Sequence, residues 1–139
     1  MKYLLMIQGT QADSDAQSGK ASADAAAWTE QDVQTMYAHM GAINNDLAES
    51  GEIVDANGLS EPAKARFVER GPDGKPVITD GPYSETKEVL AGYWVLDCAS
   101  LERVTEIAAR VLECPVPEGT KQYPLVIRPI PDFDGGGDV

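Results

Sequence analysis

Basic residues are scarce in this 139-residue chain: eleven lysines and arginines stand against twenty-three aspartates and glutamates, a formal charge of −12 with an isoelectric point near 4.3. A surface of that sign repels a phosphate backbone or an anionic membrane, which sets aside direct nucleic-acid and membrane binding. Cysteine is limited to Cys98 and Cys114, which form no CxxC pair and lie far in sequence from His39, the single histidine. That spacing indicates neither a disulfide framework nor a zinc site. No apolar run approaches the roughly 18 residues of a membrane span, and the opening Tyr3 to Ile7 run is too short for a signal-peptide core. A soluble, cytoplasmic protein is expected. There is also no glycine-rich phosphate loop opening a helix, no GxSxG elbow and no HExxH pair, so no nucleotide, metal or other cofactor is expected.

What is present reads as one domain over residues 1–131, followed by a flexible tail over 132–139. Tyr3 to Ile7 suits a buried strand, and the polar, aperiodic stretch from Thr10 to Trp28 reads as a long loop without fixed structure. Thr29, with Asp32 three residues on, forms a capping box that starts a helix running to about Ser50, with Gly51 as its stop. Val33, Met36, Tyr37, Met40, Ile43 and Leu47 fall on one stripe facing the core.

Ile53 and Val54 begin a strand, and Ala63 to Glu69 continues extended. Gly71-Pro72-Asp73-Gly74-Lys75 is a tight turn that returns Pro76 to Thr79 as a hairpin partner. Ala91 to Cys98 is rich in β-branched and aromatic residues and reads as a central strand. Ser100 caps a second helix with Leu101, Val104, Ile107, Ala108 and Val111 on one face, and Pro115 ends it. Tyr123 to Ile130 is the last strand.

The order is β-α-β-β-α-β with an extra hairpin, an α+β class of ferredoxin-like topology. Its helices cover one face of the sheet only. Tyr93, Trp94, Val95 and Leu96 make the central strand apolar on both faces, so a homodimer that packs two sheets together is expected.

The run Asp80-Gly81-Pro82-Tyr83-Ser84-Glu85-Thr86-Lys87-Glu88, followed by Gly92-Tyr93 and closed by Val126-Ile127-Arg128-Pro129-Ile130, resembles the signature of the YCII-related family in its DGPF branch. The Met1-Lys2-Tyr3-Leu4-Leu5 opening and Ala48-Glu49-Ser50-Gly51 stand in the expected order, so the resemblance spans nearly the whole chain. It implies a dimeric α+β barrel with a pocket between the sheet and the first long helix, lined partly by the signature loop. It also implies a histidine and an aspartate as an active-site pair, and for some members an association with extracytoplasmic-function sigma factors. The chain departs from the pattern in having Tyr83 where phenylalanine is usual and in its long segment 10–28.

Each candidate residue admits a functional and a structural reading. Asp80 is either a general acid or base at a strand end or an ordinary turn carboxylate. His39 must carry any imidazole chemistry; on the helical wheel it lies about 90° from the centre of the apolar stripe, which also fits a solvated flank residue. Lys87 is placed to hold an anionic group and Glu85 to orient the loop, or both belong to a solvated charge cluster. Tyr83 and Trp94 are either ligand-contacting rings or core and interface aromatics. Arg128 in an apolar strand calls for a structural ion pair.

Two functions fit. One is a pocket for a small organic molecule, with cofactor-independent acid–base chemistry of isomerase or lyase type through Asp80 and His39. The other is a non-catalytic regulatory module that meets a basic protein partner through the acidic stretch holding Glu30, Asp32, Asp46, Glu49, Glu52 and Asp55.

Overall fold

The computed structural model describes residues 1–81, 84 and 86–132. In chain order the elements are β1 (Lys2–Gly9), α1 (Gln11–Gln17), α2 (Glu30–Ser50), β2 (Ile53–Gly58), a 3-10 turn (Pro62–Lys64), β3 (Arg66–Arg70), β4 (Pro76–Asp80), β5 (Val89–Asp97), α3 (Leu101–Leu112) and β6 (Val126–Ile130). Four of the strands make one sheet in the order β2-β5-β1-β6, with β1 antiparallel to both β5 and β6 and β2 antiparallel to β5. This is the ferredoxin-like arrangement, and β3 and β4 form the separate hairpin.

Alternation along the strands sorts side chains between the faces. Tyr3 and Leu5 on β1 and Trp94 and Leu96 on β5 are buried, and they pack with Ile43 and Leu47 of α2 and Val104, Ile107 and Val111 of α3. The registers Tyr3↔Leu96 and Leu5↔Trp94 put these residues directly opposite one another on the helix side. Leu4, Met6, Tyr93, Val95 and Val126 lie on the other face and are only half-buried.

The cap of α2 forms as its sequence dictates. Thr29 Oγ1 accepts from Asp32 N at 3.1 Å, Asp32 Oδ2 accepts from Thr29 N at 2.8 Å, and Gly51 closes the helix at φ 77°, a left-handed conformation that favours glycine. Ser100 caps α3 through Arg103 N at 3.1 Å.

The structure departs from the sequence reading in six places. Residues 10–28 are not a featureless loop, because Thr10 and Asp13 form a second capping box that starts α1, with Ala12 and Ala16 buried beneath it. Ala63 and Lys64 belong to a 3-10 turn, whose Ala63 N–H donates to Gln11 Oε1 at 2.7 Å. The last strand begins at Val126, three residues later than expected; Pro124 has no N–H to give a ladder. Tyr37 is 62% exposed and Leu101 49% exposed, each at the edge of its helix stripe. Arg128 is exposed on the edge strand β6, where solvent satisfies the guanidinium and no ion pair is required. No helix among the described residues is long and apolar enough to cross a membrane.

Candidate functional site

The two ends of the sheet are built differently. At the end where β1 and β2 start, the space between sheet and helices is closed by charge. Glu52 receives both Arg103 Nε at 2.9 Å and Arg103 Nη2 at 2.8 Å, and Ser50 Oγ at 2.8 Å. The Arg103 guanidinium holds the Glu52 carboxyl down to about 2, and the same contact raises the guanidinium above its ordinary value. Burial, together with the hydrogen bond to Glu52, pushes the Cys98 thiol up to about 11, so it is an inert packing group.

At the opposite end, where β1 and β2 finish and β5 begins, the same layer opens into a cavity of about 510 Å3. Its floor is the sheet, through Ile7, Ala56 and Trp94. Met36, Tyr37, Met40 and Asn44 of α2 form its roof. Between the pairs Ile7↔Gly92 and Gln8↔Leu90 the ladder skips Ala91, a bulge on β5 beside the point where Thr10 begins α1.

Thr10, Asp13 and Ala16, with Trp28, supply one wall, and Trp28 N–H bonds to Ala16 O at 2.8 Å to fasten the segment. Val111, Cys114, Lys121 and Tyr123 supply the other wall. Burial raises the Cys114 thiol, which keeps it protonated.

The lining is mostly apolar, with a few polar groups in fixed positions, the usual composition of a small-molecule site. Trp94 Nε1 donates to Asn44 Oδ1 at 2.7 Å, which fixes the indole under α2. Burial, and then the Asp13 carboxylate, raise the Tyr123 phenol above its ordinary value. Both tryptophans of the chain line this cavity.

The sequence-derived candidates are dispersed. Trp94 lies in the cavity wall. His39 is on α2, and its Nε2 donates at 2.8 Å to the Arg110 carbonyl in the last turn of α3, which also accepts the Glu113 N–H. The Arg110 side chain turns back to Asp46 at 2.6 Å, so the two contacts lace α2 to α3. Asp80 sits on the hairpin opposite Arg66, bonded to Arg66 Nε at 3.0 Å, with its side chain 75% exposed.

Neither His39 nor Asp80 lines the cavity, and the contacts that hold them do not bring them together. Lys87 is exposed and its N–H bonds to Ser84 O at 3.0 Å. Tyr83 and Glu85 lie outside the described residues. Gly81 has a packing reason: a Cβ there would stand 3.0 Å from the Phe67 ring and 3.2 Å from Ala65 O.

Sequence reasoning missed Asp13, Thr10, Trp28 and Tyr123. Their signal was the repetition of Thr-x-x-Asp, at Thr10 to Asp13 as at Thr29 to Asp32. Among the described residues no cluster of histidine, cysteine and carboxylates is arranged to hold a metal ion.

The YCII-related domain model matches residues 1–118. An uncharacterised protein of Rhizobium meliloti (strain 1021) is 30% identical over 82 residues, which is 59% of this chain; the match spans about 65% of that relative's length. The chain therefore belongs to the YCII-related family.

Proposed function

We propose that this YCII-related protein binds a small organic molecule in the cavity beneath α2, and that it does so as a homodimer. The observation that carries the binding reading is the cavity itself, which at about 510 Å3 falls within the range of small-molecule sites, roughly 300–1,000 Å3. Ile7, Met36 and Met40 offer apolar contact, while Asn44, Thr10 and Asp13 offer directional groups.

Acid–base catalysis by Asp80 and His39 would need both to reach one bound molecule. His39 Nε2 is committed to the Arg110 carbonyl and Asp80 to Arg66. The geometry therefore supports binding in the cavity better than turnover by that pair.

The test uses the tryptophans. Trp28 and Trp94 both line the cavity, so a bound molecule alters the intrinsic emission. A library of compounds of fewer than about twenty non-hydrogen atoms should give saturable emission changes that Met40→Trp, by filling the cavity, abolishes in a folded protein. Compounds that bind equally well to Met40→Trp would remove the reading.

The dimer reading rests on the uncovered sheet face. The registers Leu4↔Val95 and Met6↔Tyr93 on one side of β1, and Met6↔Val126 on the other, join these residues into one contiguous, half-buried apolar patch. A soluble monomer rarely leaves such a patch open. Sedimentation should give a dimer that Val95→Glu converts to a monomer; a wild-type monomer at micromolar concentration would exclude it.

The acidic stretch offers less free charge than its sequence implied, because Arg110 and Arg103 engage Asp46 and Glu52. That reduces its value as a docking surface for a basic partner.

A further inference from the structure

Resting on the cavity reading above, we propose that the ligand is an organic cation, an amine or quaternary ammonium, seated with its charge against the Tyr123 ring beside Asp13. Both groups line the cavity, and the Asp13 carboxylate acts on the Tyr123 hydroxyl. An aromatic face with an adjoining carboxylate is the recognition chemistry of a positive charge: the ring quadrupole attracts the cation, and the carboxylate compensates it.

The protein already places a cation there. Lys121, which also lines the cavity, holds its Nζ 5.9 Å from the centroid of the Tyr123 ring, at cation–π distance. Lys121 is exposed on the connection between α3 and β6, and no ion pair joins it to a carboxylate among the described residues. Its ammonium thus stands over the ring that a ligand ammonium would use.

The remaining charge of the wall has the same sign as Asp13. Glu61 lines the mouth, and the Glu88 carboxylate acts on the Tyr123 hydroxyl. Trp28, Tyr37 and Trp94 add aromatic surface around the apolar floor. An anionic ligand would meet Asp13 and Glu61, with Lys121 as the one cation of the wall among the described residues, within a chain of net charge −12.

The experiment compares three probes on the wild-type protein by tryptophan emission and by NMR: benzyltrimethylammonium, its uncharged carbon isostere neopentylbenzene, and phenylacetate. The cation should bind about tenfold more tightly than the isostere, and the anion should bind most weakly. Lys121→Gln should tighten the cation several-fold by removing the resident ammonium from the ring, and Asp13→Asn should weaken it about tenfold.

Because Asp13 also belongs to the α1 capping box, the probe series and Lys121→Gln carry the test if Asp13→Asn unfolds the segment. Equal or tighter binding of neopentylbenzene or phenylacetate in the cavity would overturn the cation assignment and leave the cavity reading standing. A weaker cation in Lys121→Gln would do the same. Absence of binding by all three probes would overturn both.

Discussion

The two ends of the sheet share the same strands and helices and are finished in opposite ways. At one, Glu52, Arg103 and Cys98 fill the space with a bidentate ion pair and a buried thiol. At the other, side chains of similar apolar character stand back from one another and leave about 510 Å3. A protein interior is ordinarily packed to crystal density, so an open layer has a stability cost, which the proposed binding would account for.

The largest expected effect tests that contrast in the core. Leu96, fully buried on the closed side of β5, should lose about 3 kcal/mol as Leu96→Ala, the usual range for a buried leucine. Met40, which borders the cavity, should lose only about 1 kcal/mol as Met40→Ala, because one side of it already lacks contacts. Chemical denaturation of the two variants measures both, and equal losses would erase the distinction between the ends.

Next in size is the charge clasp. Arg103→Met leaves the Glu52 carboxylate with Ser50 Oγ but without its two guanidinium donors and should cost on the order of 2 kcal/mol, a figure reduced because the guanidinium is 42% exposed. The pH dependence follows from the lowered carboxyl. A group held down to about 2 from 4.5 contributes stability above its unfolded value, and loses that contribution as pH falls from about 4.5 through about 2. Wild-type protein should therefore lose more stability than Glu52→Gln between those two pH values. Parallel acid titrations of the two proteins would show Glu52 to be idle.

The capping boxes give a smaller and more local effect. Thr29→Ala should lower global stability by about 1 kcal/mol, since α2 is packed on the core. Thr10→Ala should instead speed hydrogen exchange in α1 and its neighbours, with less effect on the global transition, because α1 buries only Ala12 and Ala16. A Thr10→Ala protein whose α1 amides exchange with the global transition would make the cavity wall part of the core.

These same two helices explain how much was legible. The α2 cap is followed by Met40, Ile43 and Leu47 at helical spacing, so cap and period agreed and the helix was read to within a residue. The α1 cap is chemically the same, but two alanines four residues apart make no visible period, and glycine, serine and lysine follow at once. The strands of the sheet were legible from β-branched and aromatic content, and the hairpin from its Pro-Asp-Gly turn.

The resemblance implied a pocket between the sheet and the first long helix, but the walls of the cavity found there were not legible, because a void has no residue of its own. It arises where α1, α2 and the connection after α3 meet, and Tyr123 and Asp13 come together across more than a hundred residues. The signature motif drew attention to Asp80 instead, whose described neighbours explain its loop in packing terms: Gly81 leaves room for Phe67, and its N–H bonds to Ala65 O at 2.9 Å.

The smallest expected effect lies at that motif. Asp80 and Arg66 face each other across the hairpin with side chains 75% and 65% exposed, and an ion pair in that setting contributes about 0–1 kcal/mol. Asp80→Asn should leave the unfolding midpoint nearly unchanged. It should also leave the His39 imidazole signals in place, since that ring is fixed by the Arg110 carbonyl on the other layer of the fold. His39→Ala, by contrast, removes a tie between α2 and α3 and leaves a last-turn carbonyl without its side-chain donor, at a cost of about 1 kcal/mol. One NMR titration of the single histidine, in wild type and in Asp80→Asn, separates the two residues. If the Asp80 substitution displaced the His39 resonances, the two groups would share an environment that the open hairpin does not give them, and the search for chemistry would move from the cavity to that pair.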